Sequence, residues 1–120
     1  LILISKDTDL AHFIDPSGLL QIEKIAAQCW PGPVTLICKA RADLPGFMKG
    51  PQGTIALRMP CHEGLQKLLT HFDGLFSTSA NISGGPIPQA IDDVDPQVLA
   101  RCAALILDAP EHQKSSFPVG

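Results

Sequence analysis

A chain of 120 residues with 45% apolar content is long enough for one domain with a real hydrophobic core. Its formal net charge of -3 argues against a protein that coats nucleic acid through bulk positive charge, although a local basic cleft is compatible with it. No unbroken apolar run approaches the ~20 residues of a membrane-spanning helix, and the N-terminus lacks the basic start and cleavage pattern of a secretory signal, so a cytoplasmic protein with no membrane partner is expected.

Leu1-Ile2-Leu3-Ile4-Ser5 reads as a buried strand entered in its middle, and Val119-Gly120 follows a loop with no closing element. Both features are expected of a fragment of a longer polypeptide. Asp15 before Pro16 predicts a helix start, and the helix runs to about Cys29. Leu19, Ile22, Ile25, Ala26 and Cys29 form its apolar stripe, leaving Gln21, Lys24 and Gln28 in water. Trp30-Pro31 ends it. The stiff corner Pro31-Gly32-Pro33 then leads into a β-branched run, Val34 to Cys38, with the signature of a strand.

Pro45 to Gly53 holds three glycines and two prolines and reads as a loop. Thr54 to Met59 follows as a strand ended by Pro60, with Ile55, Leu57 and Met59 on one side and Thr54, Ala56 and Arg58 on the other. A second helix is expected from about His62 to Phe72, burying Leu65, Leu68, Leu69 and Phe72, with Gly74 just past its end. Leu75 to Ser79 is the next buried strand. Asp95-Pro96 announces a third helix carrying Val98, Leu99 and Cys102, and Ala104 to Leu107 a last short strand. This alternation predicts an α/β domain with helices over a central sheet, and ligands in such folds sit where loops leave strand ends. Whether the strands are parallel is not readable from the sequence.

Cys29, Cys38, Cys61 and Cys102 contain no C-x-x-C pair and fall in apolar segments, which predicts reduced core cysteines. The histidines form no ligand pair at metal-site spacing beyond the adjacent Cys61 and His62, so no structural metal is expected. Asp92, Asp93 and Asp95 read as a solvated turn leading into a helix cap.

The segment Phe76 to Pro86 changes abruptly from apolar residues to small hydroxyls, one amide and two glycines. Short donors and acceptors on backbone that glycine lets approach a ligand suit a binding site. Turn chemistry explains the same residues, with Asn81 capping a helix or taking a left-handed conformation. Arg58 interrupts an apolar strand, and its planar fork suits a carboxylate or phosphate. Thr35 after the Pro-Gly-Pro corner and Thr54 at a strand start each offer a hydroxyl but carry little weight alone. No nucleophile elbow, Walker loop, H-E-x-x-H or pair of carboxylates set in an apolar pocket is read, and acid–base hydrolysis is not indicated.

Trp30-Pro31-Gly32-Pro33-Val34-Thr35, Ile55-Ala56-Leu57-Arg58-Met59-Pro60 and Ser77-Thr78-Ser79-Ala80-Asn81-Ile82-Ser83-Gly84 occur in the order and spacing of the YrdC-like domain family. The chain resembles most closely the TsaC type, the threonylcarbamoyl-AMP synthases. The resemblance implies a YrdC-like twisted sheet flanked by helices with an open concave ligand cleft, as one domain over residues 1–120, incomplete at both ends. It implies a nucleotidyltransferase that forms threonylcarbamoyl-AMP and pyrophosphate from L-threonine, bicarbonate and ATP, for threonylcarbamoyladenosine modification of tRNA by a separate transfer complex. ATP enters with Mg²⁺ as a substrate complex, and no tightly bound cofactor is implied.

By the same resemblance Arg58 and Ser77 face threonine, while Thr54, Ser79 and Asn81 belong to the ATP side; no catalytic residue is assigned. The family's proline-threonine-rich loop, lysine-x-arginine motif and downstream serine-threonine motif have no counterpart here, and Ile87 stands where many relatives carry a hydroxyl residue. The 120 residues alone are therefore expected to show little or no turnover. Two alternatives stay open. The YrdC-like module of carbamoyltransferases would bring zinc-finger-like cysteines that are absent from this sequence. A noncatalytic YciO-like RNA-binding paralogue tends to lose the Ser-Ala-Asn pattern kept here.

Overall fold

Two short strands and two longer ones pair into a mixed sheet in the first unit of the chain, Leu1–Ser77, in a computed structural model that describes residues 1–106. The strands are β1 (Ile2–Leu3), β2 (Leu36–Lys39), β3 (Thr54–Arg58) and β4 (Leu75–Phe76), in the order β2-β3-β1-β4. β1 and β3 run parallel, and the two outer pairings are antiparallel. Helix α1 (Pro16–Cys29) packs against β2, and α2 (Glu63–Leu69) connects β3 to β4. The fold is α/β.

Helix α1 begins and ends as its sequence predicts. The Asp15 carboxylate accepts the Ser17 backbone N–H at 3.0 Å and the Ser17 hydroxyl, and these bonds hold it below the usual carboxylate range. At the other end the Trp30 N–H reaches the Ala26 carbonyl at 2.8 Å before the chain turns extended. Ala26 is buried, and Leu19, Ile22 and Cys29 pack on the core. Ile25 corrects the predicted stripe: it lies at the margin of the face that meets the sheet and is 44% exposed.

In β3 burial alternates as a strand with one covered face requires: Ile55 and Leu57 are buried, while Thr54, Ala56 and Arg58 are half-exposed. The register extends both faces across the sheet. Leu36 and Cys38 lie opposite Leu57 and Ile55, and Ile2 lies beside Leu57, so these residues line the core side with Ile4, Phe13 and Trp30. Ile37, Leu3 and Leu75 belong to the other face with Arg58. β2 starts at Leu36, two residues later than expected, because the corner before it holds Val34: Trp30 Nε1 donates to the Val34 carbonyl at 2.7 Å. Gly32 donates to the Met59 carbonyl at 2.9 Å, and a Cβ there would stand 2.8 Å from the Cys29 carbonyl oxygen, so only glycine fits.

Helix α2 is shorter than expected and turned relative to the predicted face. His62 caps it by accepting the Leu65 N–H on Nδ1 at 3.0 Å, and the Thr70 N–H closes it at residue 69. Leu69 is buried as predicted, but Leu68 and Phe72 are exposed, and Gln66 takes an inward place instead. Its side chain donates to the carbonyls of Pro60 at 2.8 Å and Ile4 at 3.3 Å and accepts the Lys6 N–H at 2.9 Å. Strand β4 is likewise shorter than predicted, and Phe76 is 59% exposed rather than buried, meeting the exposed Phe47 with ring centroids 6.1 Å apart.

Gly74 precedes β4 where no side chain fits. A Cβ would lie 2.7 Å from Ile2 Cγ2 and 3.2 Å from Phe13 Cζ. We predict that Gly74→Ala destabilises the unit by about 1–3 kcal/mol through overpacking, read as a lowered urea midpoint with unchanged slope. An unchanged midpoint would show that Ile2 and Phe13 move aside.

The cysteine expectation holds only in part. Cys38 is buried, and burial pushes its thiol up; Cys29 is half-buried, whereas Cys61 and Cys102 are exposed. Adjacency to apolar residues in sequence did not place those two side chains inside, because each follows a point where its element begins or ends.

The second unit, from Thr78, is described by itself. It contains a turn over residues 81–85, a 3₁₀ turn at Ile91–Asp93 and α3 (Pro96–Ala100), capped by Asp95, which accepts the Gln97 N–H at 2.8 Å. Asp92 and Asp93 are exposed in the turn before it, as expected. The predicted strand over 104–107 is not formed at 104–106, where Leu105 and Ile106 are exposed; Leu107 lies outside the described residues.

Candidate functional site

The sheet face of the first unit opposite the core gathers polar groups that strand alternation forces to one side. Arg58 ends β3 on this face, and Thr54 begins the same strand on it. β4 continues one residue beyond Phe76, where the Ser77 N–H donates to the Leu1 carbonyl at 3.0 Å. Since Leu75 is opposite Leu3, and Leu3 is beside Arg58, Ser77 also falls on the Arg58 face. Arg58 and Ser77 are two strands apart, roughly 10 Å across the sheet. Apolar Leu3, Leu75 and Ala56 separate them, each half-exposed.

The side chains on this face are ordered by local contacts. Continuing the β2–β3 register one residue beyond Leu36 and Leu57 sets Thr35 opposite Arg58. Arg58 Nε donates to Thr35 Oγ1 at 2.9 Å in a partly buried contact. Thr54 Oγ1 donates to the Pro51 carbonyl at 3.3 Å, within the turn that carries the chain into β3. A guanidinium on a face with hydroxyls at Thr35, Thr54 and Ser77 is chemically suited to a carboxylate or phosphate with neutral polar groups beside it.

The second unit contains the remaining predicted residues, Ser79 and Asn81. The Ser79 hydroxyl donates to Asn81 Oδ1, and Asn81 Nδ2 donates to the carbonyls of Ile82 and Gly85 at 3.0 Å each. Asn81 therefore neither caps a helix nor takes the left-handed conformation. It bridges the turn, while Ala80 adopts the left-handed backbone at φ 55° and Gly84 at φ 80°. Ile87 is 47% exposed and presents no hydroxyl. Loss of the Asn81 bridge should open this turn. In Asn81→Ala the Gly85 amide, bonded to the Ile82 carbonyl at 2.7 Å, is expected to exchange with solvent about tenfold faster, the equivalent of one hydrogen bond. Equal exchange rates would mean that the backbone alone sets the turn.

Two contributors were not singled out from sequence. Gln66 ties the exits of β1 and β3 together, yet a lone glutamine on a helix carries no spacing signal. Thr35 was noted only as a weak hydroxyl donor; its register with Arg58 could have been inferred by pairing the two β-rich runs, once their antiparallel order was known. Among the described residues, no group of three or more His, Cys, Asp or Glu side chains is placed to hold a metal ion, and no helix is long and apolar enough to cross a membrane.

Known proteins resemble this chain in sequence and fold. The family profile for Sua5, YciO and YrdC, described as telomere recombination, matches residues 1–117. The threonylcarbamoyl-AMP synthase of Shigella flexneri is 35% identical over 100 residues, covering 81% of this chain and 53% of that protein. That of Idiomarina loihiensis is 37% identical over 87 residues, covering 70% and 47%. The chain thus spans about half the length of these relatives. The crystal structure of P. abyssi Sua5 complexed with L-threonine matches with a TM-score of 0.63 at 34% identity, covering 78% of this chain and 27% of that one. A second P. abyssi Sua5 structure matches with a TM-score of 0.66 at the same identity. With the profile spanning nearly the whole sequence, and 78% of the chain matching a solved member, the chain belongs to the Sua5/YciO/YrdC family.

Proposed function

We propose that the complete gene product is a threonylcarbamoyl-AMP synthase, with Arg58 and Ser77 facing L-threonine and Thr54, Ser79 and Asn81 on the ATP side. The observation that carries the reading is the common sheet face of Arg58 and Ser77. The relatives named as synthases, and the Sua5 structure holding L-threonine, support it.

In this reading the threonine nitrogen bonds to the carbon of bicarbonate with loss of water, giving the carbamate. A carbamate oxygen then attacks the α-phosphorus of ATP, supplied as its Mg²⁺ complex, and the bond to pyrophosphate breaks. No covalent enzyme intermediate is required. Arg58 holds the amino-acid carboxylate at the sheet, so that the amine projects away from it, and rate enhancement comes from positioning and charge stabilisation. Hydroxyls contribute orientation without adding charge to a site already crowded with phosphate oxygens. The product passes to a separate complex that modifies tRNA, in a cytoplasmic setting.

The test is release of pyrophosphate from ATP by the complete gene product, with and without L-threonine and bicarbonate. Release that needs all three substrates establishes the synthase. Absence of release, with retained affinity for RNA, would replace it by the noncatalytic RNA-binding reading.

A further inference from the structure

We infer that Thr35 is the positioning residue for Arg58, and that the corner from Trp30 to Thr35 serves to deliver it; the inference rests on the threonine reading above. An arginine side chain has many rotamers, and its fork recognises a carboxylate only when its plane is set in advance. Thr35 Oγ1 accepts from Arg58 Nε at 2.9 Å, fixing one edge of that plane. A hydroxyl is suited to this task because it is neutral.

The corner is built to keep this hydroxyl in place. Buried Trp30 donates from its indole to the Val34 carbonyl at 2.7 Å, immediately before Thr35. Gly32 donates to the Met59 carbonyl at 2.9 Å, immediately after Arg58. The corner is therefore tied at one residue from each member of the Thr35–Arg58 pair. Gly32 sits so close to the Cys29 carbonyl that a side chain there would force the corner to shift. A corner that reads from sequence as a stiff turn thus sets the distance between one hydroxyl and one guanidinium.

Thr35→Val keeps the β-branched shape that suits a strand and removes the acceptor; Thr35→Ser keeps the acceptor. In the complete gene product, calorimetric titration of Thr35→Val should show L-threonine bound about tenfold more weakly, with ATP affinity within about twofold of the unmutated protein. Thr35→Ser should restore threonine affinity to within about twofold of the unmutated protein. The Arg58 Nε–Hε resonance should shift in the valine variant and return in the serine variant. Unchanged threonine affinity in Thr35→Val, or equal loss of threonine and ATP, would overturn the inference. If the unmutated protein takes up no threonine, the synthase reading itself fails. The Nε–Hε resonance then decides the remaining point: a shift in Thr35→Val supports orientation of Arg58 by Thr35, and no shift ends it.

Discussion

Arg58→Ala in the complete gene product is expected to lower the affinity for L-threonine about a hundredfold, while ATP binding changes by no more than about threefold. The size follows from what the substitution removes. A bidentate guanidinium–carboxylate contact is charge-assisted, and leaving a partly desolvated carboxylate without its partner adds to the loss. Arg58 stands on the same sheet face as Ser77, with Leu3 and Leu75 between, so water is already partly displaced around it. Arg58→Lys should recover only part of the loss, because a point charge lacks the planar fork and cannot donate through Nε to Thr35. Calorimetric titration with each substrate checks both variants. Equal weakening of threonine and ATP would assign Arg58 a general structural role, and unchanged threonine affinity would remove it from the site.

The largest effect on stability is expected at Leu57. It is fully buried on β3, the strand paired with both β1 and β2, and lies opposite Leu36 on one side and Ile2 on the other. Neither neighbouring strand can close over the gap without losing its ladder bonds. Leu57→Ala should therefore cost about 3–5 kcal/mol, in the upper part of the range for core leucines, out of a total stability on the order of 5–15 kcal/mol. Ile37, on the other face of the same sheet and 71% exposed, provides the contrast: Ile37→Ala should stay within about 0.5 kcal/mol. Urea titrations of the two variants test the assignment of faces directly. A comparable loss at Ile37 would mean that this face is covered in the complete protein.

Local rules carried much of the reading. The Asp-Pro starts of α1 and α3 are formed by backbone and side-chain chemistry within two residues, and both caps stand where the sequence places them. The alternation in Thr54 to Arg58 likewise sorted the two sides of β3, of which the structure buries the one with Ile55 and Leu57. Errors concentrate where burial depends on a distant partner. Phe76, Leu68 and Phe72 are apolar residues with suitable spacing, yet no neighbouring element within the first unit covers them. Gln66 went unnoticed because its value lies in the carbonyls of Ile4 and Pro60 and the amide of Lys6, which approach it from remote parts of the chain.

The same division runs through the candidate site. Residue type and spacing determined that Arg58 is a cation at a strand end, that Ser77 to Gly85 is a segment rich in small donors, and that three motifs follow one family's order. Helix caps, turns and period-two burial are short-range physics, legible in a linear string. Strand order β2-β3-β1-β4 and its mixed directions were decided only in three dimensions, since pairing depends on which remote edges meet. That pairing brought Thr35 against Arg58 across 23 residues of sequence and set Ser77 on the same face; no local propensity encodes either relation, because both arise when separate strands share one register.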